Sequence, residues 1–123
     1  MIRKATGSFT VKLELQPASA QAEAAGIGRR TLDKRFLGDL DAVSSGEMLA
    51  VMTGVEGSMA YVAFEKVTGL LAGRNGSFVL RHASQMIRGK PFQSIRVVPD
   101  SGTDALLGLE GEMHIEILDC EHL

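Results

Sequence analysis

One dipeptide, Asn75-Gly76, constrains this chain more than any other feature, because it lies between two runs of alternating apolar residues. An Asn-Gly pair in that setting is the strongest short-range signal for a β-hairpin, since a type I′ turn needs positive φ at both central residues. A two-residue loop at 75 and 76 pairs Arg74 with Ser77, Gly73 with Phe78, Leu71 with Leu80, Gly69 with His82, Val67 with Ser84 and Glu65 with Met86. One face of the hairpin then reads Met59, Tyr61, Ala63, Glu65, Val67, Gly69 and Leu71, continuing through Phe78, Leu80, His82, Ser84 and Met86. The opposite face carries Lys66 and Arg81, so the first, free of Lys and Arg, is assigned to the interior. Tyr61, Glu65, His82 and Ser84 accordingly point inward.

The rest of the chain repeats this period of two. Ser8–Leu15 alternates Phe9, Val11, Leu13 and Leu15 against Thr10, Lys12 and Glu14, the pattern of a half-buried strand. Gln16–Gly28 is Ala-rich and reads as a mobile loop, although Pro17 ahead and Gly26 behind would also suit a turn or two of helix. Arg30–Leu40 gives a second strand with Leu32, Lys34, Phe36 and Leu40 on one side. Strands at Ser45–Thr53 and Ser58–Leu71 flank Gly54-Val55-Glu56-Gly57, a connection of hairpin length. A fifth strand ends near Ile87, a sixth covers Gln93–Val98, Pro99-Asp100-Ser101-Gly102 is a turn cluster, and Glu112–Asp119 forms a seventh. Short strands with glycine-rich turns make a sandwich or a barrel, and the long central strands with internal Gly38, Gly46 and Gly69 favour the barrel. The expectation is a single domain over residues 1–123: an all-β, antiparallel seven- to eight-stranded barrel with little or no helix.

Composition narrows the partners. A net charge of −2, with acids and bases intermixed, leaves no basic stripe for nucleic acid. No apolar run reaches the ~20 residues of a membrane helix, and Met1–Ser8 is not followed by an apolar segment of signal-peptide type, so a cytoplasmic protein is expected. The lone Cys120 forms no intramolecular disulfide, and with His114 and His122 it has no zinc-type spacing, so neither a metal nor a cofactor is expected. Asn75-Gly76-Ser77 matches a glycosylation sequon but is read as turn chemistry.

The inner face carries the chemistry. In the Asn75-Gly76 register, Gly69 opposite His82 leaves either a binding notch or a gap that the imidazole fills. Glu65 and His82 lie four residues apart along the ladder, about 13 Å at ~3.4 Å per residue, so they meet only through a bound molecule or across a lumen. Lys34 is placed to neutralise Glu65, because a lone buried carboxylate is costly. Glu47 faces outward if Thr53 pairs with Ser58, and inward if Asp41-Ala42 is a two-residue turn, unless a bulge reconciles the two. Met48, Met52, Met59 and Met86 either line a pliable pocket or fill the core.

From Thr31-Leu32-Asp33-Lys34 with Phe36 and Gly38-Asp39-Leu40, the chain runs through Gly46-Glu47-Met48-Leu49, Tyr61-Val62-Ala63, Gly73-Arg74, Gly76-Ser77-Phe78 and His82 to Val97-Val98-Pro99 and Ser101-Gly102-Thr103. This order of motifs resembles a bacterial family of uncharacterised proteins with an allene oxide cyclase barrel-like fold. The resemblance implies an eight-stranded antiparallel barrel similar in shape to plant allene oxide cyclases and dirigent proteins. It brings no established activity and no catalytic residue. Where such proteins continue through a glycine and a histidine into an aromatic-rich last strand, this sequence reads Asp119-Cys120-Glu121-His122-Leu123. A missing eighth strand would leave an open edge, and a homodimer would seal it.

Three functions fit these residues. The first is a barrel that binds a small, mostly apolar ligand in its lumen, with Lys34, Tyr61, Glu65, His82 and Ser84 as ligand-binding residues. The second is an isomerase or cyclase in which Glu65, His82 or Tyr61 polarises a small hydrophobic substrate. The third is a structural or interaction module with a filled interior.

Overall fold

The computed structural model describes residues 3–116. Its strands are β1 (Gly7–Gln16), β2 (Ile27–Gly38), β3 (Leu40–Met52), β4 (Met59–Leu71), β5 (Arg74–Ile87) and β6 (Lys90–Val97). They pair in chain order as one antiparallel six-stranded sheet with β1 and β6 at its edges. The expected seventh strand reaches into the described residues only at its start. Arg96 bridges Glu112, and Met113 N–H donates to the Ile95 carbonyl (2.9 Å). Its remainder, with Cys120 and His122, lies outside the described residues, and closure into seven or eight strands is not seen among those described.

The reversal between β4 and β5 has the expected length of two residues but a different place. It falls at Ala72-Gly73, both at positive φ (50° and 80°), and Leu71 pairs with Arg74. Asn75 and Gly76 are strand residues opposite Leu70 and Gly69. Contacts made by β5 on its other side explain the choice. Ser77 N–H donates to Thr103 Oγ1 (3.0 Å), Thr103 N–H returns to the Ser77 carbonyl (2.9 Å), and Val79 N–H donates to Ser101 Oγ (3.0 Å). A Cβ on Gly76 would fall 2.3 Å from the Thr103 carbonyl oxygen, so this glycine serves close packing rather than the turn. His82 therefore faces Ala63, not Gly69, and Glu65 faces Leu80, not Met86. The displacement is even, so with a side-chain period of two the faces assigned from sequence are unchanged.

Two further expectations are corrected, and the open choice over Glu47 falls to its outward alternative. The Ala-rich segment holds a short helix, α1 (Ala20–Ala24), rather than a loop, because Ser19 Oγ accepts from Ala22 N–H (3.1 Å) ahead of residues of high helix propensity. Leu40 begins β3 instead of ending β2, since the chain reverses at Gly38 (φ 117°) and Asp39, whose carboxylate accepts from Thr6 N–H (2.8 Å). Glu47 is exposed on the outer face, where it accepts from Arg29 Nε (2.6 Å), and no bulge is needed because its partners are Thr31 and Phe64.

The inner face is covered over half its length. At the end bearing the Ala72-Gly73 turn, Phe36, Ala42, Val67, Phe78, Leu80 and Ile95 form the core, capped by Leu106 from the 3₁₀ turn Asp104–Leu106. Phe9 from β1, and Met113 and Ile115 from the segment beside β6, pack against it. At the other end inward-facing Val11, Leu13 and Leu15 are 47, 48 and 72% exposed. No helix of the described residues is long and apolar enough to cross a membrane.

Candidate functional site

At the boundary between the packed and open halves, four side chains from four strands converge. Lys34 (β2) stands opposite Ser44 (β3), and Glu65 (β4) stands opposite Gly46 in the next row. His82 (β5) lies two residues beyond Leu80, the direct partner of Glu65. It is thus a diagonal neighbour of Glu65, and long side chains bridge such diagonals. Lys34 Nζ donates to Glu65 Oε2 (2.8 Å), His82 Nε2 bonds the same oxygen (2.5 Å), and Ser44 Oγ donates to Oε1 (2.7 Å). All four residues are buried, Glu65 to 1% exposure. The ammonium of Lys34 also lies 4.7 Å from the centroid of the Phe9 ring, where the ring quadrupole favours a cation.

Burial alone would push the Glu65 carboxyl up. Against it stand the hydrogen bond from His82, the positive charge and hydrogen bond of Lys34, and the Ser44 hydroxyl, which together hold it down to about 2. Glu65 is therefore ionised at neutral pH, and an ionised carboxylate only accepts. Nε2 of His82 is therefore the donor in this contact, and Nδ1 is the ring nitrogen left for another partner. The carboxylate thus fixes the tautomer and orientation of the imidazole, as a carboxylate does for a histidine that acts as a base.

Of the residues singled out from sequence, Lys34, Glu65 and His82 come together. The expected separation of Glu65 and His82 gives way to direct contact, because moving the turn to Ala72-Gly73 removes it. Tyr61 and Ser84 are not part of the cluster. They face each other across β4 and β5 toward the open half, both half-buried, and neither hydroxyl bonds another described residue. Ser44 was missed. With β3 extended back to Leu40, Ala42 and Ser44 alternate onto the face of Lys34, and that longer strand was the signal available.

Gly46 explains how close β3 and β4 run beside the cluster. A Cβ there would fall 1.9 Å from the Phe64 carbonyl oxygen and 2.7 Å from Glu65 Cα. Two shallow depressions, of about 350 and 390 Å³, contain neither Glu65 nor His82; the first is bordered by Tyr61 and Ser84 together with Val62, Ala83 and Phe92.

Fold and site together define an all-β protein built on one antiparallel sheet, with an ionic cluster buried between a packed and an open half of its inner face. The chain belongs to the DUF3224 family of proteins of unknown function, whose family model matches residues 5–122. It is similar to the crystal structure, at 1.84 Å resolution, of a protein of unknown function of the DUF3224 family from Shewanella oneidensis MR-1. The two share 47% identity with a TM-score of 0.86, over 94% of this chain and 90% of that one. Among curated proteins no match was found.

Proposed function

We propose that the open half of the inner face receives a small, mostly apolar ligand. The observation that carries this reading is the uncovered apolar surface of a face that is core at its other end: Val11, Leu13 and Leu15 are exposed, and Met48, Met59 and Met86 are half-buried on the same face. Flexible thioether side chains suit such a surface, because they adapt to ligands of differing shape. Tyr61 and Ser84 supply two hydroxyls for one polar group of the ligand, and the Lys34–Glu65–His82 cluster forms the charged floor beneath them. Ligand sites are commonly built this way, from apolar walls and a few convergent polar groups.

The barrel-like architecture is part of the same proposal. Residues 111–116 begin along β6 and place Met113 and Ile115 against the core that Phe9 reaches from β1, which supports a sheet coiled toward closure. A catalytic variant of the reading has one observation in its favour, the carboxylate-held imidazole of His82, which would accept a proton from a substrate at Nδ1.

The test is a thermal-shift series with medium-chain fatty acids, terpenoids and aromatic carboxylic acids. A ligand at 100 times its Kd stabilises by about 2.7 kcal/mol and raises Tm by several degrees. The expected result is a shift with at least one of these classes that shrinks in the Tyr61→Phe/Ser84→Ala double variant. No shift across all three classes, or a shift indifferent to both substitutions, would refute the site.

A further inference from the structure

The outer face of β3–β6 carries an apolar patch independent of the ligand reading. Leu49, Val51, Val62, Phe64 and Phe92 are 39 to 58% exposed there, although these strands occupy the middle of the sheet and one edge. Outward rows run straight across it: Val51–Ala60–Gln85–Phe92, then Leu49–Val62–Ala83–Ser94, then Glu47–Phe64–Arg81–Arg96. Exposed large apolar side chains in adjacent rows mark an interaction surface rather than scattered surface residues.

We propose that this face packs against the same face of a second copy of the chain, about a two-fold axis that lies between the sheets and parallel to β4. Such a rotation exchanges left and right across the sheet without moving any residue along its strand, so β3 of one copy lies over β5 of the other. Aligned sheets stack in this way at roughly 10 Å separation. Two rows are complementary under this operation. Leu49 of one copy comes over Ala83 of the other, and Ala83 lines the depression of about 350 Å³ that Ala60, Val62 and Phe92 also border. Glu47 comes over Arg81, twice by symmetry, while Val62 and Phe64 meet their own copies at the axis.

The charges on this face have the required asymmetry. Glu47 lies on the β3 side of Phe64, and Arg81 and Arg96 lie on the other, so the two-fold sets opposite signs against each other. Within the chain Glu47 already accepts from Arg29, Arg81 reaches Ser94 Oγ at 3.4 Å, and Arg96 pairs with exposed Glu112. These contacts are solvent-exposed, so a second copy adds partners without stripping buried ones. Lys66 meets its own copy one row beyond Phe64, which sets the margin of the interface. Outward residues at ~3.4 Å rise and strands ~4.8 Å apart make a patch of roughly 15 by 20 Å, a small interface whose dimer dissociates on dilution.

Light scattering coupled to size exclusion tests this over a concentration series. Wild type is expected to move between 13.1 kDa and twice that mass as concentration rises. Val62→Arg places two like charges at the axis and is expected to remain monomeric, with an unchanged circular dichroism spectrum because Val62 is exposed. Glu47→Lys and Arg81→Glu each put like charges face to face, and each is expected to raise the dimer Kd about tenfold. An equimolar mixture of those two variants restores both opposite-sign contacts in the heterodimer, so its Kd is expected to return toward wild type. The inference is overturned if wild type stays monomeric throughout the series. It is also overturned if its dimer survives Val62→Arg, as pairing through a sheet edge would, or if the mixture dimerises no better than either variant alone.

Discussion

Replacing Lys34 by Met tests the buried cluster most sharply, because methionine keeps an unbranched side chain of similar length while removing the ammonium, with its charge, its hydrogen bond to Glu65 and its contact with the Phe9 ring. Lys34 Nζ sits 2.8 Å from Glu65 Oε2 with 6 and 0% of the two side chains exposed. Taking one partner from a buried pair leaves the other charge uncompensated, at a cost of about 3–5 kcal/mol, whereas an exposed pair would cost at most about 1. For a domain of this size the whole folding free energy is about 6–18 kcal/mol, so the variant loses a large share of it. At a urea slope of about 1.5 kcal/mol per M the midpoint should fall by about 2–3 M, followed by far-ultraviolet circular dichroism. The comparison variant, Lys34→Met with Glu65→Leu, removes both charges and should recover most of the loss, since an ion pair replaced by apolar residues is often neutral or better. A drop below about 1 kcal/mol in the single variant, or a double variant worse than the single, would refute the view that Lys34 neutralises Glu65 in the interior.

Other outcomes follow from the same geometry. The folded Glu65 carboxyl lies near 2 against an ordinary 4.5, so the unfolded chain binds more protons between those values. The stability this contributes, about 3 kcal/mol, is complete above pH 4.5 and lost as pH falls toward 2; urea midpoints measured from pH 7 to 2 should show it, and Glu65→Gln should flatten that slope. Ala72→Asn should stabilise by about 0.5–1 kcal/mol, because φ at Ala72 is 50° and asparagine tolerates that region better, while Asn75→Ala should leave the turn intact. A hairpin turning at 75 and 76 would reverse those two results. Gly46→Ala should cost about 3 kcal/mol in chemical unfolding, since its Cβ would meet backbone that cannot swing aside.

The faces of the strands were legible in the sequence because a period of two survives any even change of register. That is why Lys34, Tyr61, Glu65, His82 and Ser84 all lie on the inner face even though the hairpin turns three residues earlier than the Asn-Gly pair suggests. The contact between Glu65 and His82 was not legible, because contact depends on register and register here is set by tertiary packing. Gly76 is held beside Thr103 and Leu106, residues some thirty positions away in sequence that no local rule relates to it. Ala72-Gly73 turns despite an alanine at positive φ, a local cost offset by the contacts that β5 makes in this register with Ser101 and Thr103. The conflict over Glu47 arose in the same way: a turn placed at Asp41-Ala42 shortened β3 and hid Ser44, whereas the actual reversal at Gly38 and Asp39 extends the strand and puts both residues on their faces.

The most direct measurement of the buried cluster is the side-chain carboxyl ¹³C shift of Glu65, followed by NMR as pH falls from 7 and assigned with the Glu65→Gln variant. A carboxylate held by Lys34, His82 and Ser44 should keep its ionised shift down to pH 3 and begin to protonate only near 2. Protonation at or above 4.5 would mean that burial prevails over its three partners, and the cluster as described here would be wrong.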